Sequence, residues 1–496
     1  MAATSAMKRA FLIHLPGARL QLLPELKKVG IEVVFFTTSD RPRPEQYEVL
    51  APGVPHVTNA HALSTRSPLF EGSAPARLQD IEKLAGTESV ALHCFDRSNA
   101  AKRSIHDLHS IYIQHVGVWR TQLERFNPDV VIFTDNPHHG WDNVLYDLCR
   151  ADGRTIAIIG YSELEQRVIL KGAIDDIPGP TAEEIDGLVS GDEPVVDIGR
   201  DKLNLGNNER INNLTRIRRK ASLLGAARLL VGWRQFGRTP PMGLLFFGNE
   251  TPRHFEVRWT KFRNRLAGRE LLKSYDLLAS PADLDAPYVY FPLPMQPEST
   301  TVPLAGHFSE QVNLAHTVAA ALPAGWGLYV KEHPAQILWT LSSRGRSVRH
   351  YEQLAAIPNV TIVKLETNSA HLVSHARAVA TATGTTGFEA IEMGVPALIF
   401  GAPWYAKAPG VVRVQTVEEC RDALSRIALG ELKPDPRRVR VYKHLMKTKY
   451  SVQAIFDPDT AERDDLAPDV TAANLSAAIR EVVDRRKPKP SGKRTA

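Results

Sequence analysis

Short runs of apolar and β-branched residues alternate along this chain with longer stretches in which apolar positions recur every three or four residues. The first pattern is that of a buried strand and the second that of a helix with one covered face. In the N-terminal part, the runs 10–14, 32–38, 130–134 and 155–159 predict strands, with helices over 20–29 and 141–150 between them. Such alternation predicts a parallel sheet covered by helices, a Rossmann-like domain. A second series opens at 288–293 and continues through a helix over 310–322 and strands at 327–331, 360–363, 378–381 and 397–400. Pro323, Pro358 and Pro396 punctuate its turns and strand starts, where a chain must stop being helical. The expected class is α/β, with two Rossmann-like domains.

The segment between them breaks the pattern. Its first part, 174–197, is acidic and loop-like, and its second carries Arg210, Arg216, Arg218, Arg219, Lys220, Arg228, Arg234, Arg238, Arg253, Arg258, Lys261, Arg263, Arg265, Arg269 and Lys273 against few acids. Leu223, Leu224, Leu229, Leu230, Val231, Trp233 and Phe236 are interleaved with those charges. A basic amphipathic segment suits an anionic membrane surface, and equally a helix packed on its own domains with its charges in water. The expected organisation is a first domain over 1–176, an acidic then basic helical insert or linker over 177–285 that completes it, and a second domain over 286–440. C-terminal helices over 441–484, open to crossing back to the first domain, and a disordered basic tail over 485–496 follow.

At 496 residues the chain is too long for one ordinary core. Its 43% hydrophobic and 23% charged residues are those of a globular protein, and a net charge of +6 over that length speaks against nucleic acid as a partner. Cys94, Cys149 and Cys420 are widely spaced and form no metal or disulfide pattern, which suggests a reducing, cytoplasmic setting. The basic insert leaves a peripheral position on the inner face of the cell membrane open. The apolar run 10–15 is interrupted by His14 and is too short for a signal peptide core, and no run of about 18 apolar residues suggests a spanning helix.

Candidate chemistry gathers at predicted strand ends, where an α/β sheet binds a nucleotide. After the strand 378–381 come Thr383, Gly384, Thr385, Thr386 and Gly387, opening a helix. Free N–H groups at a helix start, nearby hydroxyls and close backbone approach suit a phosphate or diphosphate. Glu389, one turn in, is placed to accept from ribose hydroxyls or simply to complement the helix dipole. At the end of the strand 327–331 stand Lys331, Glu332, His333 and Pro334. Pro334 biases His333 away from helical geometry, so its imidazole can donate to a phosphate oxygen or leaving group, or else cap the next helix. Strand alternation puts Lys331 on the same side as His333. Gln296, Pro297, Glu298, Ser299 and Thr300 follow the strand 288–293 and suit phosphate, base or a helix cap equally. In the first domain, Asp135, His138 and His139 lie between a strand end and a helix and are candidates for a general base, or for an ordinary cap with surface histidines. Asp142, Glu163, Glu165 and Arg167 are weaker candidates nearby. Two adjacent histidines without further spaced ligands are no metal signature; no cofactor is expected.

These residues resemble the capsule polysaccharide biosynthesis family, which includes the Kdo transferases of capsule assembly. The resemblance runs through Phe126-Asn127-Pro128, Pro137-His138-His139 and Asp142-Asn143-Val144-Leu145-Tyr146, then through Tyr288-Val289-Tyr290-Phe291-Pro292-Leu293 and Gln296-Pro297-Glu298. It continues through Tyr329-Val330-Lys331-Glu332-His333-Pro334, Thr383-Gly384-Thr385, Gly387-Phe388-Glu389-Ala390, Phe400-Gly401, Trp404-Tyr405 and Pro409-Gly410-Val411. It covers the second domain well, the first in patches, and the insert not at all. It implies a GT-B glycosyltransferase that needs no catalytic metal: two Rossmann-like domains facing a cleft, the C-terminal one holding a nucleotide-sugar donor and the N-terminal one a polysaccharide or glycolipid acceptor. In relatives that use CMP-sugars, a His-Pro motif and a later Ser/Thr motif contact the nucleotide phosphate. Those roles would fall here to His333 and to Thr385 or Thr386. The Gly-Thr-Thr-Gly loop departs from the Ser-Ser or Ser-Thr pair of those relatives, so the donor need not be CMP-linked. Proton removal from the acceptor would fall to Asp135, His138 or His139. The alternatives are an epimerase of the same fold and a non-catalytic, nucleotide-binding assembly protein.

Overall fold

The computed structural model describes residues 7–38, 44–63, 67–97, 104–190, 209–222, 254–338, 345–456 and 466–485. They form two compact units, one from 1–178 with 450–496 and the other from 179–449.

The first unit is built on a seven-stranded sheet. Strand β1 (Lys8–Leu15) pairs in parallel with β2 (Ile31–Thr38) and with β4 (Val130–Phe133); β3 (His56–Thr58) extends the sheet beyond β2, and β5 (Thr155–Tyr161) lies parallel to β4. Ala10, Phe11, Leu12 and Ile13 are all fully buried, because a parallel sheet covered on both faces leaves no strand side in water. Phe11 and Ile13 face a core with Trp119 and Trp141, from the helices Ile105–Phe126 and Trp141–Ala151. Ala10 and Leu12 face the other core with Leu22, Leu26, Leu475 and Ile479, from the helices Leu22–Lys28 and Pro468–Arg485.

This sheet is not wholly parallel. Strand β6 (Arg167–Lys171) returns antiparallel to β5, and the short strand Val452–Gln453 returns antiparallel to β6. The connection from β5 to β6 is a tight turn with Gln166 at φ 51°, and so short a link permits a hairpin but no crossover helix.

The second unit holds a six-stranded parallel sheet in the order β12-β11-β10-β7-β8-β9. These strands are β7 (Tyr288–Pro292), β8 (Gly327–Lys331), β9 (Val360–Ile362), β10 (Ala378–Thr381), β11 (Ala397–Ile399) and β12 (Val411–Arg413). One face buries Val289, Phe291, Leu328, Val330, Ala380 and Leu398, and the other buries Tyr288, Tyr290, Tyr329 and Val379. Tyr288 and Tyr329 stack with ring centroids 4.3 Å apart, and their hydroxyls donate to the carbonyls of Leu372 and Asp283.

The stretch 177–285 corrects one expectation. It was expected to complete the first domain, yet two of its described helices, Glu209–Lys220 and His254–Leu278, pack into the core of the second sheet through Leu214, Ile217, Ala221, Leu271, Leu272 and Tyr275. The first three recur at helical spacing and form an apolar stripe. Arg218, off that stripe, pairs with Asp276 at 2.5 Å and with Glu366 at 2.5 Å. The Leu/Trp/Phe-rich residues 223–253, on which the membrane-surface expectation rested, and the tail 486–496 lie outside the described residues. The last helix of the second unit, Pro436–Thr448, is started by Asp435, whose carboxylate accepts from the Arg437 N–H at 2.8 Å, with Pro436 at its first position. Among the described residues no helix is long and apolar enough to cross a membrane.

Candidate functional site

In the second unit, β7, β8 and β10 are neighbours, so the loops leaving their C-terminal ends lie side by side. The middle loop, 293–305, is tied to both of the others. Gln336, fully buried after the His-Pro turn, accepts from the Gln296 N–H at 2.7 Å and donates to the Gln296 carbonyl at 2.8 Å. On the other side, the Thr383 hydroxyl donates to the Thr300 carbonyl.

The His-Pro turn rests on a group to which the sequence reading gave no role. Glu332 is 1% exposed. Its Oε1 accepts from the His333 N–H at 2.7 Å, and its Oε2 accepts from Arg346 Nε at 2.7 Å and from the Tyr351 hydroxyl at 2.8 Å. Arg346 also donates to Gln311 Oε1 at 2.6 Å, to the Pro294 carbonyl at 2.9 Å and to the Gly345 carbonyl at 2.9 Å. A buried ion pair is tolerable only when its remaining donors and acceptors are met in this way. The His333 side chain itself is exposed. Its Nδ1 accepts from the Ala335 N–H at 3.2 Å, so the neutral ring carries its proton on Nε2.

The other expected donor-site residues divide into two groups. Lys331 is buried, and its ammonium donates to the Thr367 carbonyl at 2.5 Å and to Ser369 Oγ at 3.0 Å, work that anchors the next helix. Gln296 is 6% exposed, its backbone is clamped by Gln336, and its side-chain Nε2 is buried with no partner among the described residues. Gly384 and Gly387 make room for protein. A Cβ at Gly387 would stand 2.4 Å from the Tyr405 hydroxyl, and one at Gly384 would stand 2.8 Å from Thr381 Oγ1. The Gly384 N–H donates to that same Thr381 oxygen, and the Tyr405 hydroxyl donates to the Gly384 carbonyl. Thr385, Thr386 and Glu389 are half-buried, and Thr385 makes no side-chain cap to the helix Thr386–Glu392. That helix has only seven residues, so the threonine hydroxyls and loop N–H groups matter more for an anion than its dipole. His333, Pro334, Gly384, Thr385, Thr386 and Glu389 are therefore among the expected residues that remain at least partly open to solvent.

In the first unit, the expected acid and histidines surround a carboxylate that had ranked lower. Asp142 is fully buried at the start of its helix. Its Oδ1 accepts from the N–H groups of His139 (2.7 Å) and Asn143 (2.9 Å), and its Oδ2 from His14 Nε2 (2.6 Å), the His138 N–H (2.9 Å) and His139 Nδ1 (3.4 Å). Burial alone would raise its carboxyl, but the hydrogen bonds from His139 and His14 hold it well below the usual carboxylate range.

An ionised Asp142 fixes where the ring protons lie. His14 carries its proton on Nε2 and keeps a lone pair on Nδ1; His139 donates from Nδ1 and keeps one on Nε2. His138 donates from Nδ1 to the Asn136 carbonyl at 2.5 Å, leaving Nε2 as its acceptor. The rings are layered, with centroids 4.0 Å apart for His138 and His139 and 4.6 Å for His14 and His139. Burial, opposed by the Asp142 bond, pulls His139 down to about 4. Burial and the neighbouring His139 push His138 well below its ordinary value. Burial raises Asp135, opposed first by His14, although a side chain that is 34% exposed limits how far.

His14 was noted only as an interruption of an apolar run. It is the penultimate residue of β1, with φ 65°, a left-handed conformation that strains a non-glycine residue and is held by its N–H donating to Thr37 Oγ1 at 2.9 Å and by the Thr134 hydroxyl donating to its carbonyl at 2.5 Å. A lone imidazole within the apolar run 10–15 was the available signal. His14, His139 and Asp142 also offer ligand atoms within 4.8 Å of one another, so these are the residues that could hold a cation. As they stand, the carboxylate between them is occupied by ring and backbone protons.

No curated protein matches the chain in sequence. Among solved structures it is similar to KpsC of Thermosulfurimonas dismutans, a β-Kdo 2,7-transferase, at 12% identity over 78% of this chain and 98% of that one, with a TM-score of 0.32. It is also similar to the spinosyn rhamnosyltransferase SpnG with spinosyn aglycone (13% identity, 96% and 100% covered, TM-score 0.24) and to the UDP-GlcNAc 2-epimerase of Neisseria meningitidis bound to UDP-GlcNAc (9% identity, 96% and 100% covered, TM-score 0.21). Likenesses this distant leave the reaction to be argued from the residues. Residues 296–432 match the family model described as capsule polysaccharide biosynthesis protein. That span holds the 293–305 loop from Gln296 onward, the His-Pro turn and the Gly/Thr loop.

Proposed function

We propose that the protein is a glycosyltransferase of the GT-B type, moving a sugar from a nucleotide-sugar donor to a surface polysaccharide or glycolipid acceptor. The observation that carries this reading is the cross-linked set of loops at the ends of β7, β8 and β10, with His333 exposed above a buried Glu332–Arg346 pair. A rigid base beneath an exposed imidazole suits a group that meets the departing phosphate, since donors fixed in advance need no reorganisation as charge develops. Thr385 and Thr386 supply hydroxyls to the same anion, and Glu389 is the residue for the ribose.

Acceptor activation falls to the first unit. His14, oriented by Asp142, has the arrangement of a general base: a ring whose Nε2 is held by a buried carboxylate, with Nδ1 left to accept a proton. Taking the acceptor proton onto Nδ1 would turn the Nε2–H contact into an ion pair with Asp142, which stabilises the imidazolium as it forms. His139 shares that carboxylate, and Asp135 lies beside His138 at 3.7 Å.

Thermal-shift measurement against CMP, UDP, GDP, ADP and CDP tests the donor half. A ligand that binds the native chain raises its melting temperature, and the reading expects one nucleotide to stand out and the rise to shrink in His333→Ala. No response to any of them would remove the donor site.

A further inference from the structure

Arg19 is 3% exposed and sits in the turn Gly17–Arg19 that follows β1. Its Nη1 donates to the Thr134 carbonyl at 3.1 Å. Its Nη2 donates to the Ile455 carbonyl at 2.7 Å and to the Phe456 carbonyl, with the guanidinium carbon 5.6 Å from the Phe456 ring centroid. One side chain thus joins the end of β4 to a segment 436 residues beyond Arg19 itself in sequence. That segment is itself fixed in the first unit. Val452 and Gln453 pair with β6, the Ala454 N–H donates to the Gln166 carbonyl at 3.0 Å, and Phe456 packs on Tyr161 with ring centroids 5.3 Å apart.

Thr134 is the residue through which Arg19 reaches the chemistry. Its peptide leads directly into Asp135, and its hydroxyl donates to the carbonyl of His14, the residue held at positive φ. The carbonyl that Arg19 holds therefore belongs to the residue that braces the strained end of β1. We infer that Arg19 is a positioning residue for His14 and Asp135, and that it makes the returning segment 455–456 part of the first unit's site. A guanidinium suits this task because its donors lie in one plane and fork toward separate acceptors, while a lysine would present a single point of contact.

The kinetic side of this inference rests on the transferase reading, so the test has a second arm that does not. Arg19→Lys and Thr134→Val are compared with the full-length wild type, alone and combined. Melting temperature and donor-nucleotide affinity are followed as controls, and the His14 ring signals by NMR. With transfer established, either change is expected to lower the acceptor-dependent kcat by about 10- to 100-fold, as a misplacement of about 1 Å at a reacting group does, with donor affinity within about twofold. The double variant should lose little more than the worse single one, because both act on the same link. The His14 ring signals should move in both variants whether or not the chain transfers sugar. Moved signals with no turnover in any variant would sink the transferase reading and leave the positioning role standing. Unmoved His14 signals in folded Arg19→Lys and Thr134→Val would overturn the positioning role. Should Arg19→Lys fail to fold, Thr134→Val decides alone.

Discussion

Arg346 Nε and Glu332 Oε2 meet at 2.7 Å with their side chains 1% and 0% exposed, directly beneath the backbone N–H of His333. Charges taken so fully out of water are held by geometry, since their mutual attraction must offset two desolvation costs. Removing one partner leaves the other stranded. Arg346→Met is therefore expected to destabilise the second unit by about 3–5 kcal/mol. Glu332→Gln should cost less but should release the His333 N–H and reduce nucleotide affinity. Denaturant melts of both variants, with nucleotide titration of whatever remains folded, check this.

The Gly/Thr loop allows a rescue experiment. Gly387→Ala would bring a Cβ to 2.4 Å from the Tyr405 hydroxyl. Overpacking of that kind costs about 1–3 kcal/mol. Tyr405→Phe removes the obstructing oxygen along with its bond to the Gly384 carbonyl. The double variant should therefore be less destabilised than the sum of the two singles, as a thermal-melt cycle would show. Simple additivity would mean that Gly387 is required for something other than this contact.

Two groups in the first unit give opposite pH dependences of stability. His139 is pulled down to about 4 by burial, so the unfolded chain binds its proton more readily than the native one between about pH 6.5 and 4. Native stability should fall as pH drops through that window, and His139→Gln should flatten the fall. Asp147 is pushed up to about 7 by burial. Its native form holds the proton more tightly, so stability should decline as pH rises from about 4 to 7. Asp147→Asn, which mimics the protonated acid, should match the wild type near pH 4 and exceed it near pH 8. Melting temperatures across pH 4 to 8 check both signs.

Asp142 orients His14 through a 2.6 Å bond. Asp142→Asn would present an amide where the ring needs an acceptor, reversing the favoured tautomer. Transfer should fall by about 100-fold or more, because an orienting carboxylate is worth at least that in comparable dyads. The loss should appear in kcat, with donor affinity unchanged. A fall confined to the donor KM would place Asp142 outside acceptor activation.

The strands of both sheets were legible because parallel strands covered on two faces read as unbroken apolar runs, as Ala10 to Ile13 and Val289 to Phe291 do. The strands His56–Thr58, Val411–Arg413 and Val452–Gln453 are too short to show a period, and β6 is defined by a turn rather than by its own composition. At the candidate site, His333, Thr385 and Thr386 could be read from their place after strand ends. Arg346 and Gln336 could not, since their roles come from contacts that cross from one loop to another. Lys331 and Gln296 looked like ligand contacts because long polar side chains at strand ends usually face solvent. Here they are buried beneath loops whose course the local sequence does not reveal.

The central claim is transfer from a nucleotide sugar with His333 at the departing phosphate. The measurement that tests it most directly is acceptor-dependent nucleotide release, followed by chromatography, for the wild type and His333→Ala across CMP-, UDP-, GDP- and ADP-sugars. Release from one donor by the wild type, lowered by about 100-fold in a folded His333→Ala, is the predicted result. Equal release by the two proteins, or isomerised nucleotide sugar formed without any acceptor, would contradict it.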